Sequence, residues 1–303
     1  MGPPRVVSMI ASATEILHAL GLGEYQVGRS HECDFPASVL SLPVVTRPRF
    51  DVDGTSQEID SRVRDTLASA GSVYEVLNEL MDPLEPTHII TQTQCKVCAV
   101  SFEDVERALS ESLRARPQVV ALEPNSLDDI WNDIQRVADR CGVPGRGREL
   151  VADLKARMAE IVTRATGGRR QRAACIEWQE PLMAAGNWVP ELIEMLDAVN
   201  LFGDAGKHSP SMSFDELAAS DPDVILIMPC GYSLAQARAE MHWLEDRPEW
   251  TQLRAPVYLL DGNQYLNRPG PRVVESLQML AEILYPDRFP PLLGGGLGWE
   301  RRR

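Results

Sequence analysis

No stretch of this 303-residue chain approaches the ~18 consecutive apolar residues that a membrane-spanning helix requires, so membrane insertion is not expected. Positive charge is also scarce: 30 Lys and Arg stand against 44 Asp and Glu, a formal net charge of −14 with a pI near 4.9. That balance repels phosphate backbones and anionic lipid, which removes nucleic acid and membrane surfaces from the expected partners. The one run of three basic residues, Arg301–Arg303, follows Gly294–Gly296 and reads as part of a flexible tail over 291–303. A secretory leader needs a basic start, an unbroken apolar stretch and a small-residue cleavage site. Here Arg5–Ile10 reads instead as a first strand, and Ser12, Thr14 and Glu15 interrupt the apolar run at once. The expected compartment is therefore the cytoplasm, or the periplasm or cell exterior if export follows another route. No Ser-His-Asp order, phosphate loop or glycine fingerprint supports a hydrolase, kinase or dehydrogenase, so binding is expected rather than catalysis. Six cysteines in a chain without an evident leader are read as thiols or metal ligands before disulfides.

What is present is an alternation of strand-like apolar runs with helical patterns, the mark of parallel sheets with crossover helices. Strands are expected near 5–10, 25–30, 43–46, 88–92, 118–123, 172–178, 223–229 and 256–261. Ser12 with Glu15, and Ser213 with Glu216, have the spacing of capping boxes, and Ser126 precedes Leu127 as a third N-cap. Two stretches echo one another: 5–28 and 172–203 each run strand, loop, helix and Gly-containing turn. The Pro-turn strands at 80–90 and 218–227 repeat in the same order. Between the halves, apolar Leu150, Val151, Leu154, Met158, Ile161 and Val162 recur at helical spacing. The reading is an α/β fold of two similar lobes, 1–146 and 168–290, joined by a helix over 147–167.

These residues carry a resemblance. The opening strand with Ser12-Ala13-Thr14-Glu15 and Gly21-Leu22-Gly23, the Pro-turn strands, Ala185–Ile193, and Pro271-Arg272 before the last helix resemble the substrate-binding proteins of cobalamin, haem and iron-chelate importers. The resemblance covers residue 5 to about 288, and the wording of 185–193 looks most like the cobalamin-binding branch. It implies two Rossmann-like lobes with parallel sheets, the class III periplasmic-binding-protein fold, with a cobalamin or related macrocycle held in a cleft between lobes. It also implies an ABC permease partner met by carboxylates, which correspond here to Glu103 and to Asp215 or Glu216. The chain departs from the cobalamin pattern where Thr91-Gln92 and Lys207–Pro210 stand in place of aromatic residues.

In open parallel sheets ligands sit beyond the carboxyl ends of the strands, so the loops there nominate the site. Ser12, Thr14, Phe50, Gln92, Trp178, Tyr232, Tyr265 and Arg268 are the candidate ligand contacts; Trp178, Phe50 and Tyr265 offer planar faces for a macrocycle. His31 or His208 is a candidate ligand for a central cobalt or iron. Cys95-Lys96-Val97-Cys98 follows a buried strand, and with His31 and Cys33 it offers the donor types that zinc or another thiophilic metal prefers. The same cysteines equally fit a thiol-redox pair or a structural role, with Lys96 placed to lower a thiol pKa. A cytosolic metal-binding or redox protein using Cys33, Cys95 and Cys98 is thus the alternative to a macrocycle binder. Cys141 and Cys175 read as buried thiols, Cys230 as facing the cleft, and His18, His88 and His242 as packing or surface residues.

Overall fold

The computed structural model describes residues 3–93, 105 and 116–303, and the chain divides into two compact units. The first comprises Met1–Pro124 with Asp128–Asp153, and the second Asn125–Leu127 with Leu154–Arg303. The last of the three passages between them, Asp153 to Leu154, falls inside helix Pro144–Ala165. That helix starts at a proline, whose fixed φ suits a first helical position, three residues before the expected start.

In the first unit β1 (Val6–Ser8), β2 (Gln26–Arg29), β3 (Thr46–Pro48), β4 (Tyr74–Val76), β5 (His88–Gln92) and β6 (Gln118–Leu122) follow in order. A parallel sheet runs β2-β1-β5-β6, while β3 and β4 pair antiparallel beside it. Its two inner strands, β1 and β5, are buried along most of their length, with Val6, Val7, Ile89 and Ile90 fully enclosed, as expected where both faces of a sheet are covered. Val7, Met9, Val45, Val73, Met81 and Ile89 form one core cluster.

In the second unit β7 (Arg172–Trp178), β8 (Met183–Ala184), β9 (Val199–Asn200), β10 (Val224–Ile227), β11 (Val257–Leu260) and β12 (Trp299–Arg301) form a sheet of order β12-β11-β10-β7-β8, with β9 also on β7. β7, β10 and β11 are parallel, and Ala174, Ile176, Ile225, Ile227, Val257 and Leu259 fill the core.

Two expectations are corrected. Segment 291–303 is not a flexible tail: β12 pairs antiparallel with β11, and two bidentate ion pairs, Arg238–Glu300 and Arg302–Glu245, hold it. The charges that suggested fraying are the ones that fasten it. The Ser12–Glu15 capping box also does not form. Helix Ala11–Ala19 has Ile10 as its extended N-cap, so Ser12 lies inside the first turn, buried, its hydroxyl without a protein partner among the described residues. At Ser213 the box closes in both directions: Glu216 N donates to Ser213 Oγ (3.2 Å), and Ser213 N donates to Glu216 Oε2 (2.7 Å).

Candidate functional site

In the second unit three loops leave the carboxyl ends of β7, β10 and β11 and are stitched together. Cys230 N donates to Glu177 O (3.1 Å), Asn263 N to Tyr232 O (3.0 Å), and Asn267 Nδ2 to Met228 O (3.0 Å). Gly262 makes the last approach possible: a β-carbon there would sit 2.0 Å from Pro229 O, so only glycine lets the β10 and β11 loops close on one another. Asp261 caps the turn Gly262–Leu266, and Trp188 of the 185–193 motif donates its indole N–H to Leu266 O (3.1 Å). The motif therefore acts as a brace beneath the loop that carries Tyr265.

This scaffold brings together four of the expected residues. Trp178 and Tyr232 meet with ring centroids 5.2 Å apart at 58°. Trp178 is half-buried, with its Nε1 donating to Glu180 O (3.0 Å). Arg268 is buried and donates to Asn263 Oδ1 (3.1 Å), and Arg272 stacks over the Tyr265 ring at 5.2 Å. Tyr232 carries the least satisfied group. Its hydroxyl is buried without a protein partner among the described residues, and burial, reinforced by the charge of Glu240, pushes its pKa to about 12. At neutral pH it remains protonated, a donor with no protein acceptor among the described residues. Together these residues present an aromatic face, a buried cation and an unused donor, the equipment for a large, partly planar ligand with polar rim groups.

The first unit offers a different surface. His31 follows β2, with Nδ1 2.8 Å from Thr46 Oγ1 and its ring 5.2 Å from that of Tyr74. Tyr74 in turn donates to Glu32 Oε1 (3.1 Å). Burial, and then the charge of Arg29, lower the His31 pKa to about 4, so the imidazole is neutral under physiological conditions. Tyr74 was not among the expected site residues. Its signal is faint: Ser72-Val73-Tyr74-Glu75-Val76 alternates after Gly71, the pattern of a short strand.

Other expected residues are placed elsewhere. Phe50 packs against the first unit's core. Ser12 and Thr14 lie on the buried face of their helix, where Gln26 Nε2 donates to Thr14 Oγ1 (3.1 Å), and Gln92 is buried at the end of β5. Cys33 is 1% exposed, its thiol directed to Ser8 O (3.9 Å) and Ser30 Oγ (3.6 Å), and burial raises its pKa. It is a packed thiol rather than a thiolate poised for metal, and among the described residues no group of three His, Cys, Asp or Glu is gathered to hold an ion. Cys95, Lys96, Cys98 and Glu103 lie outside the described residues. His208 places Nδ1 3.1 Å from Ser209 O, and Cys175 is fully buried in β7.

Against known proteins, the chain is 22% identical over 284 residues to the vitamin B12-binding protein of Vibrio cholerae, covering 92% of this chain and 88% of the relative. It is 21% identical over 296 residues to an uncharacterized ABC transporter substrate-binding lipoprotein of Bacillus subtilis, covering 95% and 82%. Among solved structures, a periplasmic heme-binding protein from Pseudomonas aeruginosa superposes with a TM-score of 0.72 at 20% identity, covering 99% of this chain and 98% of that one. That superposition covers nearly the whole chain, so the fold described above is the one this chain shares with that structure. The family described as periplasmic binding protein matches residues 6–256, most of the chain, and the chain belongs to that family.

Proposed function

We propose that this protein is the substrate-binding component of an ABC importer and that it takes a tetrapyrrole-type macrocycle, a corrinoid or a porphyrin, at the carboxyl ends of its parallel strands. The observation that carries the reading is the cluster in the second unit: the Trp178–Tyr232 ring pair beside Tyr265, Asn263 and buried Arg268, held by one set of loop-to-loop hydrogen bonds. Aromatic faces cover the ring, while Arg268 and the Tyr232 hydroxyl meet carboxylate, amide or phosphate groups on its rim. Relatives named for vitamin B12 and for heme support both ring classes equally.

The test is a visible-absorbance titration of the purified chain with cyanocobalamin and, separately, with hemin. The proposal expects saturable binding of one of them, weakened about tenfold or more by Trp178→Ala, which removes the larger stacking face. Binding of neither ring would refute it. For the permease, we propose a contact through Asp215, exposed at the start of helix Phe214–Ala219; Glu216 beside it is already occupied in capping. Asp215→Ala is expected to weaken pull-down of the transporter and to leave ring binding intact.

A further inference from the structure

Segment 293–303 does more than extend the sheet. Because β12 is antiparallel to β11, with Leu260 opposite Trp299, its beginning lies against the carboxyl end of β11, where the Tyr265 loop starts. Asp261 N, the first amide of that loop, donates to Gly298 O (2.8 Å). Gly298 lies between that loop and helix Val273–Leu284: a β-carbon there would lie 2.5 Å from Met279 Sδ of the helix and in van der Waals contact, 3.4 Å, with Tyr265 Cε2 of the loop. The segment is held from below by one buried carboxylate. Glu282, 1% exposed on helix Val273–Leu284, accepts from Trp299 Nε1 (2.8 Å), Leu293 N (3.1 Å) and Gln278 Nε2 (2.9 Å). Two of those donors belong to the segment, the third to the helix's own preceding turn. A carboxylate surrounded only by donors is a strong, charge-assisted anchor.

We propose that segment 293–303 is a positioning strap for the ligand loop: fastened by Glu282, it sets the conformation of Asp261–Arg268 through Gly298 and thereby the placement of Tyr265 and Arg268. Its role in recognition rests on the reading that these two residues touch the macrocycle; its effect on the loop does not. Neither Gly298 nor Glu282 is itself a ligand contact, so both act as positioning residues.

Hydrogen exchange with mass spectrometry on the full chain tests the coupling, comparing the native sequence with Glu282→Gln, whose amide turns an NH2 toward a cage of donors. Peptides over 293–301 and over 261–268 are expected to exchange about tenfold faster, with those over β7 and β10 unchanged. Affinity for whichever ring binds is expected to fall about fivefold or more. If 293–301 loosens while 261–268 keeps its protection, the strap does not position the loop and the inference is overturned. Loosening of both with unchanged affinity overturns its part in recognition. Should Glu282→Gln fail to fold, Trp299→Phe keeps an aromatic ring beside Tyr258 while removing the indole donor with its fused ring, and it is read in the same way. A native chain that binds neither ring refutes the proposed function alone, since the exchange comparison needs no ligand.

Discussion

Replacing Tyr232 with Phe is expected to make the ligand-free protein more stable and the complex weaker. The hydroxyl it removes is buried and finds no protein acceptor among the described residues, while the ring around it packs against Trp178. Burying a polar group without a hydrogen bond costs about 1–3 kcal/mol, and deleting that group relieves the cost without opening a cavity. Part of the penalty is recovered when the side chain shifts, so the gain should be roughly 1 kcal/mol, read as a higher urea midpoint at unchanged slope. In the complex the sign reverses. A phenol whose pKa is pushed to about 12 is a firm donor, and its hydrogen bond to a charged acceptor on the ligand is worth about 1.5–3 kcal/mol, a loss of tenfold or more in affinity. Denaturation and absorbance titration of the two proteins side by side check both halves. Tyr232→Phe lowering stability by 1 kcal/mol or more would show that the hydroxyl already has a strong partner in the ligand-free state, and the reasoning would fail.

Burial lifts the Asp133 carboxyl to about 7, against the pull of the adjoining Arg136 and of Glu123 N, which donates to Oδ2 (2.9 Å). The folded state thus holds a proton that the unfolded chain releases near 4. The associated stability, up to roughly 4 kcal/mol, is complete below that pH and is lost as pH rises to about 7. Asp133→Asn should flatten this slope in urea melts recorded from pH 4 to 8. Arg288 donates to Ala165 O (2.7 Å), Thr166 O (2.6 Å) and Gly167 O (3.0 Å), closing the carbonyl end of helix Pro144–Ala165. Its replacement by Ala should cost about 2 kcal/mol by chemical denaturation, reduced from the full value of three charge-assisted bonds because two of the carbonyls are exposed. Ser213→Ala opens the capping box and should cost about 1 kcal/mol, with ring affinity unchanged.

The parallel sheets were legible because a strand buried on both faces must be apolar throughout, as Val224–Ile227 and Ile89–Ile90 are. The connecting helix was legible from its apolar spacing. Capping boxes were half legible. Ser12–Glu15 and Ser213–Glu216 read alike, but the motif requires extended backbone at the serine, and at the first site that conformation belongs to Ile10. β12 was hidden because Trp299-Glu300-Arg301 has no apolar run; its partners lie on β11 and on helices Leu234–Ala239 and His242–Glu245, far away in sequence. In the second unit, position along the chain could be inferred from topology, which placed Trp178 at the end of β7, Tyr232 after β10, and Tyr265 and Arg268 after β11. The direction of a side chain could not. Cys33 and Thr14 sit where expected along the chain yet point into the interior, a choice made by neighbours such as Ser30 and Gln26.

The pairing of β12 on β11 also bears on how copies of this protein behave toward one another. Without that cover, Val257-Tyr258-Leu259-Leu260 would present an aliphatic rim of unpaired amides and carbonyls, a template onto which a strand of another molecule can add. The covering strand turns that rim into one that carries Glu300, Arg301 and Arg302, whose charges tax any incoming backbone with desolvation and repulsion. At the opposite side the sheet closes with β8, only two residues long, with a further bridge from Met183 to Ser211. Both margins of the sheet are thus poor sites for intermolecular β-pairing, so copies of the folded chain have little backbone to offer one another there.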